Sequence, residues 1–221
     1  MPKYTFDIPK PCSLDVDVLY GDEHILVVSK PAGLLSVPGR YLKDSVLHRM
    51  LYEYPDSRIV HRLDLDTSGL MVLAQSQLGT SDLNRQFRER LVNKTYLARV
   101  YGELALLEGE IDLPLAPNPD DRPRQMVDHD KGKTALTRFE RISVVGNTTN
   151  IRLFPITGRS HQLRVHLAAI GHPILGCDLY AHEEALRAAD RLCLHASILQ
   201  FNHPATQEPM TFESTPTFSV A

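Results

Sequence analysis

The sequence predicts an α+β fold with a mixed, mostly antiparallel sheet flanked by helices and loops. Three observations lead there. Strand and helix signals are interspersed, but helices do not follow every strand as a doubly wound parallel fold requires. No apolar run approaches the ~20 residues that cross a bilayer as a helix. The 221 residues are 43% apolar and 23% charged, an ordinary globular composition that excludes wholesale disorder. No repeat, low-complexity tract or clean linker divides the chain, so residues 14–221 read as one domain behind a Pro-rich arm at 1–13.

The elements follow in order. His24–Ser29 is a short apolar strand that ends at the turn Lys30-Pro31-Ala32-Gly33. Asp44 can cap a helix whose Val46, Leu47, Met50, Leu51 and Tyr54 follow 3.6-residue spacing until Pro55. Gly69–Ala74 (GLMVLA) reads as a buried strand, and Ser81–Leu91 as a helix with Leu83 and Phe87 on one side. Lys94–Tyr101 alternates like a strand. Residues 112–132 hold four prolines and many charges and read as a long loop, which a compact domain seldom carries idly. Lys133–Ser143 and Asn150–Ile156 pair around Gly146-Asn147. Ser160–Ile170 is a helix closed by Gly171, and His182–Ala189 a shorter one. Leu192–Phe201 and Met210–Glu213 supply the last strands.

Net charge is −3, but the average hides a gradient. From Arg85 to Arg164 there are 14 Lys and Arg against 10 Asp and Glu; the rest of the chain has 10 against 17. Phosphate recognition depends on the local field, so nucleic acid stays open as a partner. Cys12, Cys177 and Cys193 are odd in number and lack CxxC spacing, and the N-terminus has no apolar signal core. A reduced, cytoplasmic setting, no membrane and a monomer are the expectations.

The densest polar cluster is His61-Arg62-Leu63-Asp64-Leu65-Asp66-Thr67-Ser68-Gly69, placed just before a buried strand. A rigid strand holds loop residues in place, and Arg62 beside Asp64 suits an ionised carboxylate. Taken alone, HRxD is better explained by a salt bridge and a turn entering the strand. It is not the kinase HRD loop: Leu63 interrupts it, and no Gly-rich phosphate loop or DFG is present.

HRLDLDTSG resembles the catalytic motif of the RluA-type pseudouridine synthase family. Other segments match in order: Lys30–Gly33 the KPxG turn, and Lys94-Thr95-Tyr96 the KxY strand. Residues 157–166 (TGRSHQLRVH) are similar to the TGRxHQLRVH helix start. Gly171–Asp178 is similar to the GHPIxGD segment, with Cys177 inserted. The resemblance spans residues 14–213 and implies the pseudouridine synthase catalytic fold, without the S4-type RNA-binding domain of many relatives. GLLSVPGR (33–40) and RQFRER (85–90) look most like small members acting on both 23S ribosomal RNA and the tRNA anticodon stem-loop.

That reaction isomerises uridine to pseudouridine within the RNA chain. The N1–C1′ bond of uridine breaks, the uracil turns, and C5 joins C1′. Glycosidases need two carboxylates, one of them to protonate a poor leaving group. Uracil leaves as a delocalised anion and stays bound, so one carboxylate suffices. Asp64 can attack C1′ or take the C2′ proton. Asp66 shares a face with it in an extended segment, but the family motif requires no acid there.

The resemblance further implies that Arg164 is the basic partner of Asp64 and that Tyr96 stacks on the uracil. Arg62 would fill the space of the flipped base. Their plainer readings are, for Arg164, a phosphate clamp or a solvated helix residue, for Tyr96 a core tyrosine and for Arg62 a surface ion pair. His61, Arg85, Arg88, Arg90, Arg159, His161 and Gln162 are the candidate RNA contacts. No cofactor and no metal are expected: His161 and His166 are five apart, and Cys193-x-His195 lacks partners at ligand spacing. Ser160-His161 lacks the GxSxG of a hydrolase. The reading is therefore an RNA pseudouridine synthase; its rivals are a non-catalytic RNA binder of the same fold and a metal-dependent nucleoside hydrolase.

Overall fold

A computed structural model describes residues 11–220. Most of the expected arm, residues 1–10, lies outside the described residues. The architecture is α+β, with mostly antiparallel strands and helices against them. In chain order the elements are β1 (Asp17–Gly21), β2 (Ile25–Lys30), α1 (Val46–Met50), β3 (Arg58–Ile59), β4 (Ser68–Ala74) and α2 (Gln77–Arg88). Then come β5 (Asn93–Tyr101), β6 (Glu108–Asp112), β7 (Leu115–Pro117), β8 (Gln125–Val127), β9 (Leu136–Val145) and β10 (Thr148–Pro155). The chain closes with α3 (Gln162–Ala169), α4 (Glu183–Arg187), β11 (Leu194–Asn202) and β12 (Pro209–Glu213). It divides into two compact units, one of residues 11–94 with His195–Pro216, the other of Thr95–Leu194 and Thr217 onward.

The first unit is organised by β4. Every residue of that strand is buried, which is why GLMVLA reads as a continuous apolar run rather than an alternating one. It pairs antiparallel with β2, from Ile25↔Ala74 to Lys30↔Gly69, and parallel with β11 at His195↔Ser68 and Ala196↔Gly69. Ile25, Val27, Leu70, Val72, Leu83, Leu199 and Phe201 form the core.

Helix α2 starts four residues before the predicted Ser81. Ser76 is its cap and accepts from the Gly79 amide at 3.0 Å. The early Gly79 disguised this first turn; a Cβ there would meet the His24 carbonyl oxygen at 2.2 Å, so only glycine lets the helix lie this close. At the other end Arg90 adopts φ 59°, while the amides of Arg90 and Leu91 bond to the carbonyls of Phe87 and Gln86. This is the left-handed helix stop usually given to glycine.

Helix α1 is capped by Ser45 rather than by Asp44 as expected. Asp44 faces Arg49, 2.7 Å from Nε, and accepts from the Cys12 amide. Arg49 also donates to the carbonyls of Cys12 and Leu14, so this pair fastens the segment before β1.

In the second unit β10 pairs antiparallel with β5 and β9, and β6 borders β9. Gly146 at φ 58° makes the turn between β9 and β10, where the sequence places it. Ala98, Val100, Phe139, Ile151, Leu153, Leu163, Leu167 and Ile174 fill the core between these strands and α3. Residues 112–132 are not the featureless loop expected. They contain the β7–β8 hairpin, whose three-residue strands and terminal Pro117 leave no readable period.

Candidate functional site

The loop ahead of β4 carries His61, Arg62, Asp64 and Asp66, and its backbone is held from two sides. Ser36 Oγ donates to the Leu63 carbonyl at 2.7 Å and accepts from the Leu63 amide at 3.1 Å. Lys30 is 1% exposed, and its Nζ donates to the carbonyls of Pro31, Leu34 and Leu65 at 3.0, 2.7 and 2.7 Å. An ammonium has three protons, and all three are matched. The Gly33 amide gives the Leu65 carbonyl a second bond at 3.0 Å. Asp64, half-buried, thus lies between two residues whose main-chain groups are fixed, and its own carbonyl accepts from the Thr67 amide at 3.3 Å.

His61 has a structural task. Its Nε2 accepts from the Val72 amide at 3.0 Å, and its ring stacks on Phe87 with centroids 4.6 Å apart. Nε2 therefore carries no proton. Burial, helped by the charge of Lys94, pushes its pKa down to about 3. Arg62, next in sequence, is exposed.

The three arginines in and just after α2 differ. Arg85 is engaged by Asp82 at 2.6 Å and Glu89 at 3.1 Å, whereas the side chain of Arg88 is 70% exposed with Glu89 at 3.4 Å. Arg90 is exposed and holds the left-handed backbone described above. Alanine-like residues pay about 1–2 kcal/mol for that conformation.

In the second unit Tyr96 lies half-buried on β5, opposite Leu153 of β10. Arg164 of α3 is 3% exposed. Its Nη2 donates to Asp178 at 2.5 Å, its Nε to Cys177 Sγ at 3.3 Å, and its guanidinium lies 5.4 Å from the Tyr180 ring centroid. Asp178 and Tyr180 are thus neighbours of Arg164 that its sequence context does not reveal, although Asp178 ends the GHPIxGD-like segment that could have signalled it.

His161, at φ 55°, precedes α3, and its Nδ1 is 2.6 Å from the Tyr180 hydroxyl. Arg159 is half-buried, and its Nε donates to the Thr134 carbonyl. Gln162 is 4% exposed; Oε1 accepts from Thr157 Oγ1 and the Arg159 amide, and Nε2 donates to the Leu136 carbonyl and Thr137 Oγ1. Its side-chain amide is engaged inside the protein, where it braces the turn that leads into α3. Among the described residues, no three His, Cys, Asp or Glu side chains converge as a metal site.

Comparison with known proteins adds to this geometry. The family described as RNA pseudouridylate synthase matches residues 24–169. The chain is 53% identical over 199 residues to the "Dual-specificity RNA pseudouridine synthase RluA" of Yersinia pestis, covering 89% of this chain and 97% of that one. It is 50% identical over 200 residues to the protein of that name from Escherichia coli K12, covering 89% and 91%. Among solved structures, human RNA pseudouridylate synthase domain containing 1 superposes with a TM-score of 0.80 at 26% identity, covering 95% of this chain and 87% of that one. Human RNA pseudouridylate synthase domain containing 4 gives 0.70 at 25%, covering 90% and 88%.

Proposed function

The chain belongs to the RNA pseudouridylate synthase family and is an isomerase acting on RNA, and within that family we propose that Asp64 is its catalytic carboxylate. One observation carries the assignment. The main chain on each side of Asp64 is fixed, at Leu63 by Ser36 and at Leu65 by Lys30 and Gly33. A carboxylate that must meet C1′ or the C2′ proton within hydrogen-bond reach gains from such fixed geometry.

Tyr96 stacks on the uracil, Arg164 is the basic group of the reaction, and Arg62 enters the stack where the target base has left. The exposure of Arg62 and the burial of Arg164 support that division of labour. Arg88 and Arg90 follow the RNA backbone, with Arg85, Arg159 and His161 contributing at the margin. The substrates are uridines in stem-loops of 23S rRNA and of the tRNA anticodon arm, as the dual specificity in the relatives' name supports. A loop uridine costs least to extrude, because it is already weakly stacked. The protein works as a cytoplasmic monomer. No described helix is long and apolar enough to cross a membrane.

The test uses an anticodon-like stem-loop carrying tritium at uridine C5, which is released when C5 bonds C1′. The wild-type protein should release it, and Asp64→Asn should not, while binding the RNA within about tenfold, since the two side chains are nearly isosteric. Turnover by purified Asp64→Asn refutes the assignment. Equal turnover of the stem-loop and of a perfect duplex with the same local sequence refutes the loop preference.

A further inference from the structure

The catalytic loop ends at Ser68, and what lies beneath Ser68 is a buried polar relay. Ser68 Oγ is 2.8 Å from His195 Nδ1. His195 is 4% exposed, and its Nε2 lies 3.1 Å from the Ser214 carbonyl and 3.2 Å from Ser214 Oγ. Ser214 Oγ is in turn 3.3 Å from Ser29 Oγ of β2, and the Ser214 amide donates to the Ser197 carbonyl. A carbonyl only accepts, so in the neutral ring the proton sits on Nε2 and Nδ1 accepts from the Ser68 hydroxyl. The Ser68 proton therefore points at β11. The next residue is held as tightly: Gly69 has φ 110°, and a Cβ there would lie 2.3 Å from the Ala196 carbonyl oxygen. The parallel register His195↔Ser68 makes both contacts at one level of the sheet.

A buried histidine with both ring nitrogens engaged is costly to desolvate and specifies one arrangement of its partners. The simpler option, an apolar contact between two strands, would hold the sheet without fixing the Ser68 rotamer. We propose that His195 is a positioning residue for the reaction. Through its Nδ1 acceptor it fixes Ser68, and with it the C-terminal end of the loop that carries Asp64. This rests on the assignment of Asp64 as catalytic carboxylate.

The two nitrogens can be separated by substitution. His195→Asn keeps an acceptor near the Nδ1 position and loses the reach to Ser214. His195→Gln keeps a group near Nε2 and loses the acceptor for Ser68. Both are compared with Ser68→Ala and with the Ser68→Ala/His195→Gln pair, measuring kcat, KM and Tm on the stem-loop RNA.

His195→Gln and Ser68→Ala should each lower kcat about tenfold with KM within about twofold, as displacement of a catalytic group does. His195→Asn should keep kcat within about threefold of wild type, and the double variant should be no slower than Ser68→Ala. A purely structural histidine would instead lower Tm in both His195 variants with kcat moving alike, and that outcome overturns the proposal. So does an additive double variant, or a change confined to KM. Should His195→Gln not fold, Ser68→Ala against His195→Asn still decides. If the wild-type protein releases no tritium, it is the assigned activity that fails; if it does and these variants match it, only the role of His195 fails.

Discussion

Replacing Lys30 by Met tests whether the site loop depends on one buried cation. Methionine keeps the length and apolar stem of lysine but removes the three Nζ bonds to Pro31, Leu34 and Leu65. A hydrogen bond from a charged donor contributes about 1.5–3 kcal/mol, and three would give about 5–9 kcal/mol if nothing offset them. Two offsets apply. The ammonium no longer pays its desolvation, several kcal/mol, and the Leu65 carbonyl keeps its bond from the Gly33 amide. What remains is the cost of leaving the Leu34 and Pro31 carbonyls short of a donor, about 1–3 kcal/mol each. The expected net loss is about 3 kcal/mol. For a chain of this size that lowers Tm by about 6–12 °C. Because Leu65 adjoins Asp64, kcat should fall more than KM rises. Thermal unfolding followed by circular dichroism and the tritium assay below the lowered Tm measure the two effects. A Tm within about 1 °C of wild type and an unchanged kcat would show that the carbonyls find water and that the loop holds its shape without the cation.

Arg90→Gly should trade binding for stability: relief of the left-handed strain, less the extra unfolded-state freedom of glycine, leaves a gain of about 0.5–1 kcal/mol, while the salt slope of RNA binding flattens by about 0.7–0.9. A destabilised variant with an unchanged slope would refute this. Arg88→Gln should flatten the slope more than Arg85→Gln, because Asp82 and Glu89 already occupy Arg85; equal effects would show that those ion pairs give way to phosphate. His61, whose pKa falls to about 3 on folding, is neutral in the folded state while the unfolded chain takes up a proton below pH 6.5. Its contribution is present above pH 6.5 and is lost as pH falls toward 3, by up to about 1.4 kcal/mol per pH unit. Urea unfolding at pH 7 and 5 should show a smaller difference for His61→Asn than for wild type, and parallel behaviour would refute the burial argument.

The fold class and most strands are legible in the sequence because they depend on local patterning. Strand β4 declares itself through six consecutive small or apolar residues, and the β9–β10 turn through Gly146-Asn147. Strand β1 was missed because four of its five residues are exposed, so no buried face shows in the period. The start of α2 was hidden by Gly79, whose reason is a tertiary contact with His24. At the site, the HRLDLDTSG string singles out Asp64 through its resemblance to the family motif. What fixes Asp64 did not show, because Ser36 and Lys30 act across 27 and 35 positions of chain. The internal bonds of Gln162 were not legible for the related reason that an amide in a polar motif gives no sign of whether its partners are inside or outside the protein.

The Lys30 and Ser36 ties also bear on how RNA affinity is distributed. Confining a flexible backbone costs about 1–2 kcal/mol per residue. Were the loop between β3 and β4 ordered only on contact with substrate, that cost would be subtracted from binding each time an RNA docked. Here it has already been met when the chain folds. With Asp64 as the proposed carboxylate, the adaptation falls instead on the nucleic acid, which must unstack a base to present it to a group whose flanking main chain is already tied down. Tolerance for more than one RNA then comes from how readily each substrate deforms rather than from pliancy in the enzyme.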